Sequence, residues 1–465
     1  MENIKDLTKY ERTRKVIVFI IDIIIYHLSF VLSFLIRYNF KIPTFNYRAY
    51  QGVSFYIMFA FGVLNILSGM YKLYNKRKAD ILYVTIINQL LMIITITSLT
   101  FLGRWFAFPR TIIILSFLIS SVLLTIWRLV VYELYKRLSG TRKVMVVGPE
   151  LNCKRAIRNF ESARNDIYVV DIAVYGNFIE NIKLNIDKVD VIYLTENLPD
   201  SIQTEITTLL TAHDKKIFLS SSFNNLLLLN SNIRNIEDET LLELTEFSIA
   251  PELDIIKRFV DILVSILLII VTAPIILITA ILVKITSPGP VLYKQTRITL
   301  DQREFDILKF RTMKITAEDS TGPVLATTND TRVTSIGKYL RSLRIDELPQ
   351  LFNVLKGDMS LVGPRPERPF FVEQFQKQNR YYYLRHTVRA GITGYAQVNG
   401  KYATDFNSKL NFDLLYIKKY SLILDIEILL QTIKTLFDKV SSQGVNDEEL
   451  DIDYYSIPER IKIYK

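Results

Sequence analysis

Four apolar runs in the first 130 residues constrain this chain more than any other feature of its sequence. Such runs are typical of membrane-spanning helices, which need about 20 apolar residues to cross the hydrocarbon core of a bilayer. The first run continues into Arg37 without a small-residue cleavage site, so it does not have the form of a cleaved signal peptide. We therefore expect a four-helix transmembrane bundle over residues 1–140. The runs are residues 16–36, 53–67, 81–102 and 111–129.

The distribution of Lys and Arg around these runs predicts their orientation. Cations follow the second and the fourth run, within residues 72–78 and 136–143, and they also fill residues 1–15. The other two connections hold fewer. Because cytoplasmic segments are enriched in Lys and Arg, both ends of the bundle should face the cytoplasm, as should everything after residue 143.

Asp22 lies inside the first apolar run, where a charged side chain is costly. An acid in this position can mark a functional site. It can equally make a polar contact between helices, which is the interpretation that we favour.

The composition shows that the chain is not a single globule. Its 465 residues leave room for two or three domains, and 49% hydrophobic beside 22% charged residues imply that apolar segments alternate with ordinary soluble ones. The formal net charge of +10 suits an anionic membrane surface or a phosphate-bearing substrate better than nucleic acid in such a chain. With Cys153 as its only cysteine, the chain has no disulfide framework, which is compatible with a reducing cytoplasm.

Residues 141–250 follow a different pattern, in which short β-rich runs alternate with polar helical stretches. This alternation predicts a small Rossmann-like α/β domain. Its nucleotide signature is defective, because Gly148 is followed by Pro149 and Glu150 instead of the glycines that admit a pyrophosphate. A scaffold or regulatory role is therefore favoured over dinucleotide binding.

A fifth apolar run covers residues 259–285 and contains Pro274 near its middle. Cations flank it on both sides, so the orientation rule is better satisfied if both ends are cytoplasmic. A re-entrant helix that breaks at Pro274 and turns back would achieve this. The alternative is a kinked spanning helix, which would place the Rossmann-like and the following domain on opposite sides of the membrane.

Two segments near the C-terminus are too polar to span. Residues 421–437 carry Asp425, Glu427 and Lys434, so an amphipathic helix on the membrane surface or capping a domain fits better. Residues 441–465 form a C-terminal tail with an acidic cluster at 447–453, which we expect to be mobile or loosely docked.

The soluble block from 309 to 366 contains the adjacent carboxylates Asp346 and Glu347. Pro349 suits the first turn of a helix and Gly357 a helix end, with apolar residues between them at helical spacing. The carboxylates thus precede a helix, whose dipole should keep Asp346 ionised. Acids in a first turn are often only dipole-compensating residues. Here, however, four cations could converge on the pair: Lys309, Arg311, Arg341 and Arg365.

Five motifs lie around these carboxylates: SPGP at 287–290, KFRTM at 309–313, RSLRIDELPQL at 341–351, NVLKGDMSLVGPRPE at 353–367 and GITGYAQVNG at 391–400. Together they closely resemble the bacterial sugar transferases that load a phosphosugar onto polyprenyl phosphate. The resemblance covers roughly residues 250–440, and the first 250 residues resemble the longer members less sharply. It implies a catalytic domain of α/β type over 251–440, anchored by the re-entrant helix and preceded by the membrane bundle and the Rossmann-like domain.

The resemblance also implies a reaction and roles for the residues. Asp346 would attack the β-phosphate of a UDP-sugar, releasing UMP, and the phosphosugar would then pass to polyprenyl phosphate. Glu347 would hold Mg²⁺, which needs only one or two protein carboxylates. Arg341 and Arg365 would clamp phosphate, and so would Lys309 and Arg311, unless they are solvated surface charges. Arg344 departs from the small or hydroxylated residue more usual at its position, which leaves its contact with the donor open.

By the same resemblance, the protein would start the synthesis of a surface polysaccharide at the bacterial cytoplasmic membrane. Membrane lipids, the UDP-sugar and polyprenyl phosphate would be its partners, nucleic acid would not, and self-association and the identity of the sugar are left open. Two alternatives belong to other classes. One is a membrane-bound nucleotide-sugar oxidoreductase or epimerase using NAD in the Rossmann-like domain, and the other is a non-catalytic scaffold for glycan assembly.

Overall fold

The computed structural model of the protein describes most of the chain. For residues 3–11 and 139 it describes the backbone alone. The described ranges are 3–73, 76–162, 167–213, 215–313, 332–400, 405–435 and 455–465.

The N-terminal 140 residues form the expected bundle of apolar helices. Each helix contains a stretch long and apolar enough to cross a membrane, so the four predicted apolar runs do form candidate membrane helices. Many apolar side chains point outward, among them Ile94 at 65% exposure, whereas Phe30, Ile57 and Phe61 lie in the bundle core. A helix that is apolar on all sides is expected where lipid is the solvent. The helices are α1 (Asn3–Arg37), α2 (Thr44–Leu67), α3 (Lys78–Leu102) and α4 (Arg110–Ser139).

A buried ion pair between Asp22 and Arg128 lies at the centre of this bundle. Both side chains are at most 3% exposed, and Arg128 donates to Asp22 Oδ2 from Nε at 3.0 Å and from Nη2 at 2.6 Å. Arg128 also donates to Asn65 on α2 and to Thr85 on α3, so one guanidinium links all four helices. The interpretation of Asp22 as a helix–helix contact is thus supported.

We predict that breaking this pair destabilises the bundle more than removing it. Asp22→Leu leaves Arg128 buried without its counter-charge, a situation that costs about 3–5 kcal/mol in soluble proteins. The double variant Asp22→Leu/Arg128→Met should melt at a higher temperature than either single variant, as measured by circular dichroism of the detergent-solubilised protein. Replacing the exposed pair Glu373 and Lys377 serves as the control and should change the melting temperature little.

The chain continues after the bundle into short strands that alternate with helices, as the β-rich runs predicted. The strand interiors are apolar and buried, including Val144–Val147 in the first strand. The elements are β1 (Arg142–Val147), α5 (Glu150–Glu161), β2 (Tyr168–Val174), α6 (Phe178–Asn185), β3 (Val191–Leu194), α7 (Asp200–Ala212) and β4 (Lys216–Leu219).

The next part of the chain is richer in helices. Its strands form three two-stranded sheets: β5 with β6 and β7 with β8 are antiparallel, and β9 with β10 is parallel. The elements are α8 (Phe223–Leu227), β5 (Asn232–Ile236), β6 (Glu239–Glu243), α9 (Pro251–Thr286), β7 (Leu292–Ile298), β8 (Glu304–Phe310), α10 (Ser335–Ser342), α11 (Gln350–Lys356), β9 (Met359–Val362), α12 (Pro369–Gln378), β10 (Ala390–Thr393), α13 (Tyr395–Asn399), α14 (Phe406–Lys418) and α15 (Leu422–Thr435).

The last described segment is a strand, β11 (Lys462–Tyr464), which pairs in parallel with β2. It completes a five-stranded sheet in the order β11-β2-β1-β3-β4. The expectation of a loosely docked tail is therefore wrong for these residues, because the free edge of β2 offers backbone partners that the tail sequence does not reveal. Residues 441–454, with the acidic cluster, lie outside the described residues.

The chain packs as two compact units whose boundary differs from the expected one. The first contains residues 1–193, 199–217 and 457–465, and the second contains 194–198 and 218–456. Residues 218–250, which the sequence grouped with the Rossmann-like domain, contribute Leu226 and Phe247 to the core of the second unit. Phe223 also stacks on Tyr381 there, with ring centroids 3.7 Å apart.

Helix α9 is a fifth segment long and apolar enough to cross a membrane. It is helical from Pro251 to Thr286 with Pro274 inside, so the expected break in the helix is wrong. A proline removes one backbone donor and crowds the preceding turn, which bends a helix without necessarily ending it.

Both ends of α9 pack against the second unit. Near its start, Lys257 pairs with Asp425 of α15, and Asp261 accepts a hydrogen bond from the Leu361 N–H at 3.1 Å. Near its end, the buried Val283 packs with Phe310 and Leu340. The apolar middle lies exposed between these contacts, with Ile270 at 66%.

Candidate active site

Asp346 and Glu347 lie in a short 3₁₀ turn, Ile345–Glu347, immediately before α11. Pro349 precedes the first residue of α11, and Gly357 ends the helix in the left-handed conformation with φ of 98°. The helix expected after the two carboxylates is thus confirmed. Its buried apolar face consists of Leu351 and Val354, while Phe352 is exposed.

Lys309 reaches this turn from the end of β8. Asn353 fixes the strand against α11, because its Oδ1 accepts the Leu308 N–H at 2.9 Å and its Nδ2 donates to the Asp306 carbonyl at 2.8 Å. The neighbouring Lys309 then places its Nζ 3.1 Å from Glu347 Oε1. One buried amide therefore sets the distance between the strand and the helix start.

Glu347 binds two cations through one oxygen. Arg365 Nη2 lies 3.1 Å from the same Oε1 that binds Lys309, and Arg344 Nη1 lies 4.0 Å from Oε2. Burial alone would raise the pKa of Glu347, but the attraction of Lys309 and Arg365 outweighs it and holds that pKa well below its ordinary value. Glu347 is ionised at neutral pH.

Asp346 has a different environment, although it is adjacent in sequence. It is 8% exposed, and within the described part of the chain its carboxylate forms no ion pair. Burial, with a further contribution from the charge of Glu347, raises the pKa of Asp346 to about 6. The helix start therefore lowers the pKa of this acid less than the sequence suggested, because a turn this short supplies little dipole and desolvation dominates.

The other predicted cations divide into two groups. Arg341 lies near enough to Asp346 to oppose the rise of its pKa, and its Nε donates to Thr312 Oγ1 at 2.8 Å. Arg311 is directed elsewhere, since its buried guanidinium donates to the backbone carbonyls of Ser287 and Pro288. The structure thus brings Lys309, Arg341 and Arg365 to the carboxylates and assigns Arg311 to the turn after α9.

Arg344, which the sequence singled out only as a departure, joins the site through backbone geometry. Its φ of 52° is in the left-handed region, which is uncommon for a residue other than glycine. This conformation separates α10 from the 3₁₀ turn and directs the arginine toward Glu347.

Sequence reasoning missed Arg385 and Asp413, which lie behind Arg365. Arg385 is 4% exposed and Asp413 2%, and the guanidinium is 2.8 Å from the carboxylate. Burial raises the pKa of Asp413 to about 6 although Arg385 opposes the shift. No sequence spacing announces this pair, because the two residues are 28 positions apart on different elements.

The carboxylates are suitable for a magnesium ion only in combination with a substrate. Among the described residues, no group of three or more His, Cys, Asp or Glu side chains could hold a metal. Mg²⁺ does not need such a group, since it commonly binds one or two carboxylates, water and phosphate oxygens. The ionised Glu347 and the adjacent Asp346 fit that donor set.

Comparison with known proteins shows which proteins the region around these residues is similar to. A family model described as bacterial sugar transferase matches residues 253–439. An uncharacterised sugar transferase of Bacillus subtilis, EpsL, is 41% identical over 193 residues, which are 41% of this chain and 92% of that protein. The chain belongs to the bacterial sugar transferase family.

Two relatives with more specific names are matched over a smaller share of their own length. The UDP-N-acetylgalactosamine-undecaprenyl-phosphate N-acetylgalactosaminephosphotransferase of Aeromonas hydrophila is 48% identical over 39% of this chain and 43% of its own length. The UDP-glucose:undecaprenyl-phosphate glucose-1-phosphate transferase of Klebsiella pneumoniae is 41% identical over 38% of this chain and 39% of its own length. The chain therefore spans about two fifths of the length of both relatives.

Proposed function

We propose that this protein transfers a phosphosugar from a UDP-sugar to a polyprenyl phosphate through an aspartyl-phosphosugar intermediate. The observation that carries the proposal is the contrast within the carboxylate pair. Glu347 is ionised and bound by two cations, whereas Asp346 is buried without a paired cation and its pKa is raised. Adjacent acids whose environments separate their pKa values commonly have different roles in a reaction.

The first step is a displacement at phosphorus. A carboxylate oxygen of Asp346 attacks the β-phosphorus of the donor, the bond from that phosphorus to the bridging oxygen breaks, and UMP leaves with the bond's electrons. Lys309, Arg341 and Arg365 lie around the carboxylates, where they would offset the charge of the phosphate oxygens. Glu347 would hold Mg²⁺, which supplies further positive charge to the phosphates when bound.

The second step regenerates the aspartate. An oxygen of the polyprenyl phosphate attacks the same phosphorus, the bond to Asp346 breaks, and a diphosphate-linked lipid forms. The names of the two undecaprenyl-phosphate relatives support such an acceptor, since each refers to transfer between a UDP-sugar and that lipid. This reaction would be the first step in building a polysaccharide on its lipid carrier.

Helix α9 supports a re-entrant arrangement next to this site. Asp261 and Val283 are 22 residues apart, about 33 Å along a straight helix, yet both contact the second unit. A spanning helix would carry its two ends to opposite sides of the bilayer, where they could not both pack on one soluble unit. We therefore propose that α9 enters and leaves the cytoplasmic leaflet, with Pro274 in its exposed apolar middle, and that both soluble parts face the cytoplasm.

The covalent step makes a direct prediction. With the correct UDP-sugar and no lipid, the native protein should release UMP in an amount close to that of the enzyme, and peptide mass spectrometry should locate one phosphosugar on Asp346. Asp346→Asn should abolish both, because an amide cannot act as the anionic nucleophile, with a loss of several orders of magnitude. UMP release that always requires polyprenyl phosphate would instead indicate direct transfer in a ternary complex.

Glu347→Gln is the matched control for this experiment. It removes the charge that holds Lys309, Arg365 and a metal but keeps the nucleophile. The adduct should still form, more slowly, with partial recovery at high Mg²⁺ concentration. An adduct lost completely in Glu347→Gln and retained in Asp346→Asn would reverse the two roles.

The raised pKa of Asp346 predicts the pH dependence of UMP release. Since only the carboxylate attacks, the single-turnover rate should rise with pH through about 6 and fall about tenfold for each unit below it. Acid unfolding linked to Asp346 does not explain this fall in rate. Because the pKa of Asp346 is raised in the folded protein, its contribution to stability is fully present below the unfolded-state pKa of about 3.9 and is lost as the pH rises through 6.

Asp413 has a similar pKa and must be separated from Asp346 in this measurement. The midpoint should persist in Asp413→Asn, at whatever rate that variant retains. If the midpoint disappears in Asp413→Asn, the titration belongs to Asp413 and the assignment to Asp346 is wrong.

The re-entrant arrangement predicts the accessibility of both ends of α9. In a Cys153→Ser background, single cysteines at Glu252 and Lys294 should resist an impermeant thiol reagent added to intact cells. A cysteine at Lys41, in the connection between α1 and α2, should react and serves as the positive control. Reaction at Lys294 from outside would show that α9 spans the membrane.

Pro274→Ala tests whether the proline sets this arrangement. Restoring the backbone donor should favour a straighter helix, with gain of external labelling at Lys294 and loss of UMP release. Unchanged labelling and turnover would mean that the contacts at the two helix ends suffice.

A further inference from the structure

The five residues 363–367 form the segment that carries Arg365, and their backbone is fixed at every position. Three of the fixing bonds are made by backbone groups. They are Gly363 N–H to the Thr393 carbonyl at 2.9 Å, Gly391 N–H to the Pro364 carbonyl at 2.9 Å and Ile298 N–H to the Glu367 carbonyl at 3.0 Å.

The two carbonyls in the middle of the segment accept hydrogen bonds from arginine side chains instead. Arg385 Nη2 donates to the carbonyl of Arg365 at 2.8 Å, and Arg297 Nη1 donates to that of Pro366 at 3.1 Å. The guanidinium of Arg385 is thus bonded to the backbone of the residue whose own guanidinium binds Glu347.

Arg385 is itself held by partners on two elements. Its Nε and Nη2 lie 2.9 and 2.8 Å from Asp413 Oδ2 on α14, and its Nη1 lies 2.7 Å from the Tyr382 hydroxyl. Each nitrogen of this buried guanidinium therefore has a partner. A planar guanidinium whose nitrogens are all hydrogen-bonded has little freedom to move.

We propose that Arg385 is a positioning residue, which, with Asp413 and Tyr382, fixes the carbonyl of Arg365 and so aims that side chain at Glu347. The proposal rests on the function proposed above, in which Arg365 binds a phosphate of the donor. Arg385 does not touch the reacting atoms in this scheme. It acts through Arg365, whose displacement by about 1 Å could slow the reaction about a hundredfold.

The geometry assigns a more specific role than general stabilisation of the core. A buried ion pair can often be replaced by apolar residues without loss of stability, so stability alone does not require Arg385 and Asp413. Their arrangement places the Arg385 guanidinium on the backbone carbonyl of Arg365, the residue of the 363–367 segment whose side chain binds Glu347.

A kinetic cycle tests this role in the full-length protein. Arg385→Lys keeps the charge beside Asp413, but a single ammonium cannot reproduce the fork that binds carboxylate, hydroxyl and carbonyl together. Single-turnover UMP release should fall about 10- to 100-fold in Arg385→Lys. In an Arg365→Ala background the same change should cost less than about threefold, because the group to be positioned is already absent. Leu414→Ala, which leaves a cavity next to Asp413 on α14, serves as the control. It should lower the melting temperature, and its effect on the rate should be the same with and without Arg365→Ala.

Hydrogen exchange provides a second readout that does not depend on activity. In Arg385→Lys, the peptides containing Gly363, Gly391 and Ile298 should exchange faster, while those covering α11 and α15 should not. Tyr382→Phe, which removes one partner of the guanidinium, should produce the same local pattern to a smaller extent. If UMP release by Arg365→Ala is too slow to detect, the hydrogen-exchange experiment alone tests the proposal.

The outcomes separate this inference from the proposed function. Equal rate losses in the native and Arg365→Ala backgrounds, or exchange that rises throughout the unit as in Leu414→Ala, would overturn the positioning role. Absence of UMP release from the native protein with every donor would reject the proposed function. Local exchange around 363–367 would even then support the positioning of Arg365 by Arg385.

Discussion

One carboxylate oxygen, Oε1 of Glu347, binds both Lys309 and Arg365, and the architecture of the second unit follows from bringing these cations together. A carboxylate taken out of water loses its hydration and must be paired to remain charged. Lys309 arrives on β8, which Asn353 fixes to α11, and Arg365 arrives on the rigid segment after β9. The hairpin, the short helix and the parallel strand pair are thus the means by which distant parts of the sequence meet at one atom.

The membrane segment and the site are coupled through packing at the ends of α9. Arg258 donates to the carbonyls of Val354 and Leu355, which are the last turn of the helix that follows the carboxylate pair. The Val354 carbonyl also accepts the Gly357 N–H at 3.0 Å, and a cation at a helix C-terminus meets the negative end of the helix dipole. The helix that follows Asp346 and Glu347 is therefore capped by α9, a segment long and apolar enough to cross a membrane. In the proposed function, a lipid-borne acceptor and a water-soluble donor would meet at this junction.

Local signals predicted what depends on local chemistry. Apolar length gave the four bundle helices, and Pro349 with Gly357 gave the bounds of α11. Orientation of individual side chains depends on tertiary contacts and could not be predicted in the same way. Arg311 and Lys309 are two residues apart in one motif, yet one binds carbonyls after α9 and the other Glu347. The pairing of β11 with β2 and of Arg385 with Asp413 involves partners far apart in sequence, which no periodicity reveals. Helix α9 likewise continues through Pro274, where the local preference of proline predicted a break.

Most buried carboxylates in the bundle and in the second unit form an ion pair, whereas Asp346 and Asp261 form none among the described residues; Asp261 instead accepts the Leu361 N–H. Asp22 has Arg128, Asp413 has Arg385 and Asp425 has Lys257, each as a direct ion pair. Glu347 has Lys309 and Arg365 at 3.1 Å and Arg344 at 4.0 Å, although one cation would offset its charge. Asp346 is buried to the same degree as Asp425, but no cation among the described residues pairs with it, so its charged form is the less stabilised one. In the proposed function, the partner of Asp346 would come from outside the protein, as an electrophilic phosphorus whose oxygens lie near Lys309, Arg341 and Arg365.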